Sequence, residues 1–208
     1  MPLPDSLDLQ DLGGEFPAPG EGVLLEDFAI QEQEQRSWCW AAVTMSVHQF
    51  YKGKSFASQC GLATEVLKSL LSGGSCCPAK ANPKCERKLL SQTALLAAKN
   101  LAKPPQGRHL EFDEIVAEIN DSKTGRPICC TRMGNDAAGA HIVAMTGWDV
   151  TPEGERRVFI QNPNGPETMW HSYDEFVMGK ERSWVATFLT KSGDKTGEPH
   201  GTSCTKRG

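Results

Sequence analysis

Three residues of this chain have the types and the order that nucleophilic thiol chemistry needs: a cysteine at a helix start, a histidine leading a strand, and an asparagine after the next strand. Cys39 stands between two tryptophans in "EQRSWCWAAVTMSVHQFY", where a polar segment gives way to an apolar run of helical spacing. A helix N-terminus offers free N–H groups and the positive end of its dipole, which favour a thiolate. The plainer alternative is a thiol buried as a small hydrophobe. A nucleophilic thiol also needs a base, which normally comes from elsewhere in the chain.

The chain offers five histidines. His48 follows Cys39 by nine positions on the same helix, about 900° of rotation, and so faces the other way. His200 lies in a polar tail, while His171 in "MWHSYDEF" and His109 after "PPQG" read as surface residues. His141 differs: it opens the strand "HIVAMTGWD" directly after the glycine-rich loop "GNDAAGA". A rigid strand with an adjustable approach loop suits a positioned imidazole. "HIVAMTGW" and "RVFIQNP" flank the turn "DVTPEGE" and are expected to form an antiparallel hairpin. Pairing Trp148 with Glu155 or Arg156 sets His141 opposite Asn162 or Pro163. In the first register Asn162 can accept the ring N–H and fix the tautomer; Asn164 is the fallback. An oxyanion donor could come from Gln33 or Gln35, beside the Cys39 N–H. The residues alone do not choose between the two glutamines.

The elements that must carry these residues divide the chain. Residues 1–30, rich in proline and glycine, read as an extended lead or a pro-segment. Helices are expected from Ser37, as cap, to Tyr51, over "GLATEVLKSLL", over "CERKLLSQTALLAAKNLAK" and over "FDEIVAEINDSK". "RPICCTRM", "AHIVAMTGWDV", "ERRVFIQNP" and "SWVATFLTK" then carry β-branched and aromatic residues between turn signals. The class is α+β, a helical first half followed by an antiparallel sheet. The domain is expected over residues 31–191, with 192–208 as a flexible tail.

Bulk properties narrow the function. With 208 residues, 38% hydrophobic and 23% charged, the chain can build one sizeable core. A net charge of −4 gives no reason to expect nucleic acid or an anionic membrane. No apolar run approaches the ~18 residues of a membrane span. The start lacks the basic and apolar regions of a secretory signal. Of the eight cysteines, Cys60, Cys76, Cys77 and Cys85 crowd into one stretch. Adjacent Cys76 and Cys77 project differently, which suits two disulfides better than a zinc tetrahedron, with the pairing open. Disulfides imply an oxidising destination, in tension with the missing signal. Cys129 and Cys130 neighbour one another on a strand, so one is expected in the core, and Cys204 is either free or bridged.

The blocks "Q-x-x-x-x-W-C-W-A-A", "QCGLA…CC…C", "GAHIVAMTGWD", "VFIQNP" and "MWHSYDEF" together resemble the papain-like cysteine proteases of the bacterial effector type, a group related to C39-like and staphopain-like peptidases. The resemblance runs from about Ile30 to Thr190. It implies a two-lobed fold, helical lobe first and β-lobe second. It also implies Cys39 as nucleophile, His141 as general base, Asn162 as third member and Gln33 as the oxyanion glutamine. Many relatives carry Asp where this chain has Asn162. The Cys39–His141 separation of 102 residues (141 − 39) is shorter than the ~130–150 of papain and the cathepsins. Trp38 and Trp40 are expected to wall the cleft and anchor the helix. The implied protein is a monomeric thiol endopeptidase acting on protein or peptide, secreted or delivered outside its cell, without cofactor or metal. Two other readings stay open: an acyltransferase or transglutaminase-like enzyme using the same triad, and a disulfide-stapled binding or toxin module without catalysis.

Overall fold

The computed structural model describes residues 17–77, 82–121, 125–134, 139–165 and 168–193, and the backbone of Cys204–Lys206. Strand β1 (Gly22–Leu25) leads into α1 (Cys39–Phe50), α2 (Gln59–Val66), α3 (Lys68–Leu71), α4 (Ser91–Ala97) and α5 (Phe112–Ile119). There follow β2 (Ile128–Gly134), β3 (Ala140–Val150), β4 (Arg156–Gln161), β5 (Thr168–Ser172), α6 (Tyr173–Met178), β6 (Arg182–Leu189) and β7 (Cys204–Lys206). The seven strands form one antiparallel sheet. The α+β class expected from the sequence is the class observed. No helix among the described residues is long and apolar enough to cross a membrane.

Helix α1 is central. Every residue from Trp40 to His48 is buried, because its apolar residues occupy all faces rather than one stripe. It packs against β3, α2 and α4. The long strand β3 is the spine of the sheet. Its first half pairs with β2 and its second half with β1, while β4 runs along much of its other edge.

Several expectations need correction. The lead does not extend to residue 30: Gly22–Leu25 joins the sheet, and Val23, Leu25 and Phe28 are core residues. Cys204–Lys206 pairs with β1, so residues 192–208 are not all free tail. Ser37 does not cap α1; Trp38 holds the cap position with no side-chain bond. The second helix breaks at Leu67 and is capped by Ser58, whose Oγ accepts from the Gly61 N–H. The third begins only at Ser91, since Leu89 adopts φ +61° and a left-handed residue interrupts a helix. Cys129 and Cys130 are both buried, because β2 is flanked by β3 and β6 and covered on both faces. The expectations for His200 and for the Cys204 side chain lie outside the described residues.

The four crowded cysteines form two disulfides, Cys60–Cys77 and Cys76–Cys85. The first ties the start of α2 to the loop that precedes α4, and the second closes that loop on itself. Among its described residues the loop carries the short 3-10 turn Pro83–Cys85.

Candidate active site

Cys39 is the first residue of α1 and lies half-buried at a cleft of about 860 Å³. Across that cleft stand His141, at the start of β3, and Asn162, just past the end of β4. Burial pushes the Cys39 thiol above its ordinary pKa. The backbone N–H groups of Ile142, Trp40 and Cys39 itself, and the Lys88 charge, pull it partly back. The helix start therefore acts in the expected direction, but desolvation outweighs it. The uncapped first turn has a use here, since no side-chain oxygen occupies the amides that face the thiol.

The tautomer of His141 follows from its partner. Its Nε2 lies 2.7 Å from Asn162 Oδ1, and the same oxygen accepts the Asn164 N–H at 3.0 Å. An atom that accepts a backbone N–H is the amide oxygen and cannot donate, so Nε2 carries the proton and donates it. Nδ1 is left as the basic nitrogen. Burial lowers the His141 pKa, the Asn162 bond opposes this, and the charges of Arg182 and Arg132 lower it further. Both directions, thiol up and imidazole down, favour the neutral form of each group.

The hairpin register differs from both expected ones. Trp148 pairs with Val158 and Ala144 with Gln161, with a bulge between Met145 and Gly147. A bulge inserts one residue into one strand and shifts everything beyond it. Asn162 follows the last pair by one step, so it sits diagonally from His141 rather than opposite it. Diagonal neighbours on one face are still within side-chain reach, and the contact forms. Asn164, the fallback, lines the cleft but serves by orienting the Asn162 amide.

Gln33 lines the cleft on the helix side. Its Nε2 donates to Arg36 O at 2.9 Å, leaving the second N–H of that group for another acceptor. Its backbone N–H donates to Pro163 O at 2.9 Å, which joins the glutamine to the Asn162 turn. Gln35 is exposed at the cleft rim with no such tie.

The segment from Phe28 to Glu34 joins no ladder, and buried side chains hold it instead. Gln161 accepts from the Ile30 N–H and donates to Phe28 O. Ser46 Oγ accepts from the Gln31 N–H. Gln59, 1% exposed, donates to Gln31 Oε1 and Glu32 O and accepts from the Glu34 N–H. Gln59 thus grips the chain on both sides of Gln33. The sequence reading missed it; the one available signal was a glutamine directly before a disulfide cysteine in an apolar helix.

Trp38 and Trp40 do not wall the cleft. They are 1% and 0% exposed, and their indole N–H groups donate to Cys85 O and Arg87 O, both at 2.8 Å. Rings of that size at a helix start are better used as core, and their N–H groups find carbonyls there. They anchor α1 to the loop that carries Glu86 and Lys88 to the cleft. His48 is a core residue: its Nδ1 lies 3.0 Å from Asn100 Oδ1, and Nε2 accepts the Ser55 N–H. His109 is half-buried, 3.7 Å from the Glu111 carboxylate. His171 is half-buried on β5 and reaches the cleft wall, rather than being a solvated surface residue. Among the described residues no three His, Cys, Asp or Glu side chains gather where they could hold a metal.

Helices first, an antiparallel sheet after them, and a cleft that brings the start of the central helix against the sheet define the papain-like class of α+β hydrolases. The family model described as papain-like cysteine protease AvrRpt2 matches residues 25–181, and the chain belongs to that family. A search of curated proteins found no match to the chain.

Proposed function

We propose that this cysteine protease cuts peptide bonds through a Cys39–His141–Asn162 triad with Gln33 in the oxyanion hole. The observation that carries the reading is the 2.7 Å bond from His141 Nε2 to Asn162, which leaves Nδ1 basic in the cleft that Cys39 lines. In the first step the Cys39 thiol gives its proton to Nδ1 as Sγ attacks the scissile carbonyl carbon. The carbonyl oxygen becomes an oxyanion, held by the free N–H of Gln33 and the Cys39 backbone N–H. The C–N bond then breaks, and the imidazolium returns the proton to the leaving amine. Water, deprotonated by Nδ1, attacks the thioester, and the acid departs as the thiol re-forms. Asn162 holds the ring in the productive tautomer throughout.

A neutral resting pair fits this order, because the proton moves as the bond forms. The protein acts as a monomer outside the cell that makes it; the two disulfides support an oxidising destination. The test is labelling of the intact protein with the epoxide inhibitor E-64, followed over time and located by mass spectrometry. Rapid modification at Cys39, lost in Cys39→Ala and His141→Ala, is expected. Slow labelling spread over several cysteines would remove the triad assignment. Release of free acid rather than transfer to added amines separates hydrolysis from acyl transfer.

A further inference from the structure

The cleft is cationic in a protein whose net charge is −4. Among the described residues Arg36, Lys88, Arg132 and Arg182 line it, against a single carboxylate, Glu86. Among the described residues none of the four cations forms an ion pair, although seven ion pairs form elsewhere. Two of them stand together beside His141. Arg132 is directly opposite His141 in the β2–β3 ladder, and Arg182 pairs with Gly134 on the other edge of β2.

Arg132 is unusually placed for an unpaired cation. It is half-buried, with its guanidinium 4.6 Å from the centre of the Phe176 ring. Its Nη2 donates to Arg182 O at 2.7 Å, and its Nε is buried without a partner among the described residues. Arg182 donates to Gly139 O at 3.4 Å. Burial and the Arg182 charge both disfavour the charged form of Arg132, and Glu181 offsets this only in part. Two like charges held side by side, partly desolvated and without an ion-pair partner among the described residues, form a seat for an anion; a carboxylate would relieve the repulsion and take up idle donors.

The geometry points to Arg132 and Arg182 as the subsite for an acidic side chain of the substrate, Asp or Glu, on the leaving-group side of the scissile bond. The side follows from the proposed mechanism, on which this inference rests. His141 protonates the leaving amine, so residues after the cut pass its face of the cleft. Neighbouring strands lie ~4.8 Å apart and a substrate residue advances ~3.3 Å, which places the acidic residue within the first three positions after the cut.

The test digests a peptide library, made from a whole proteome with a protease of different specificity, and reads every cut by mass spectrometry. Cuts absent with Cys39→Ala are kept. Asp and Glu are expected at one of the first three positions after the cut, enriched over Asn and Gln roughly tenfold, about the worth of one charge-assisted hydrogen bond. In Arg182→Gln that ratio should fall to about one, and Arg182→Glu should favour Lys or Arg there. Should either variant fail to melt cooperatively, the wild type decides: raising salt from about 50 to 500 mM should shrink the acidic enrichment several-fold. Cys39-dependent cuts with no acidic bias, or with a bias indifferent to Arg182 or to salt, would overturn this subsite and leave the protease reading standing. No Cys39-dependent cut at all would overturn both.

Discussion

The two walls of the cleft are held by different means. On the sheet side, His141 and Asn162 extend from strands whose ladders continue through β2, β3 and β4, so the backbone itself sets their places. On the helix side, Gln33 rides a strap without a ladder, and the neighbouring loop is pinned by Trp38, Trp40 and two disulfides. Backbone regularity positions one half of the chemistry; buried side-chain hydrogen bonds and cross-links position the other. Damage to the sheet wall should therefore be felt at the triad directly, and damage to the helix wall first at the oxyanion.

The largest separable effect is expected from Gln33→Ala. It should lower kcat by about 10²–10³-fold with little change in KM, the cost of losing one oxyanion donor. A rise confined to KM would assign Gln33 to substrate binding instead. Next comes Gln59→Leu, which removes three hydrogen bonds to the strap while leaving every cleft-lining side chain in place. Unpaired buried groups cost ~1–3 kcal/mol each, so melting should fall by several degrees, with kcat reduced about tenfold. Gln59→Glu, which keeps the acceptor but not the donors, should fall between. A thermal loss with unchanged kcat would reduce Gln59 to a purely structural role.

The smallest effect concerns pH. Burial lowers His141 and raises Cys39. A depressed imidazole stays neutral further into acid, so the acid limb of kcat/KM should lie below the ordinary histidine pKa of ~6.5. The neutral pair then spans the range up to the raised thiol. Asn162→Ala removes the bond that opposes the lowering of His141, so its acid limb should move lower still while activity drops. An acid limb above 6.5 would mean that burial does not depress His141; an ionic resting pair would show instead as an imidazolium pKa raised onto the alkaline limb.

Cys39, His141 and Asn162 could be picked out from the sequence because each sits at the end of an element with a clear period. The His141–Asn162 contact survived a register error of two residues, since side chains reach diagonal neighbours. The strand Gly22–Leu25 was not legible: a four-residue strand carries too little pattern, and its partner Gly147–Asp149 lies far along the chain. The break at Leu89 was hidden because the residues around it suit a helix, and only the Cys85 tether and the indole bonds impose another path.

Composition and local pattern thus determined the α+β class, the candidate nucleophile and base, and the crowding of four cysteines, because each depends on residues near one another in sequence. The tertiary structure alone decided which cysteines pair, that the tryptophans face the core, that Gln59 grips the strap and that two arginines without an ion pair among the described residues share the cleft. Those outcomes depend on distances between residues tens of positions apart, such as the 28 between Gln31 and Gln59 and the 50 between Arg132 and Arg182. Sequence periodicity describes the direction of a side chain within its own element; what it meets there depends on how the elements pack.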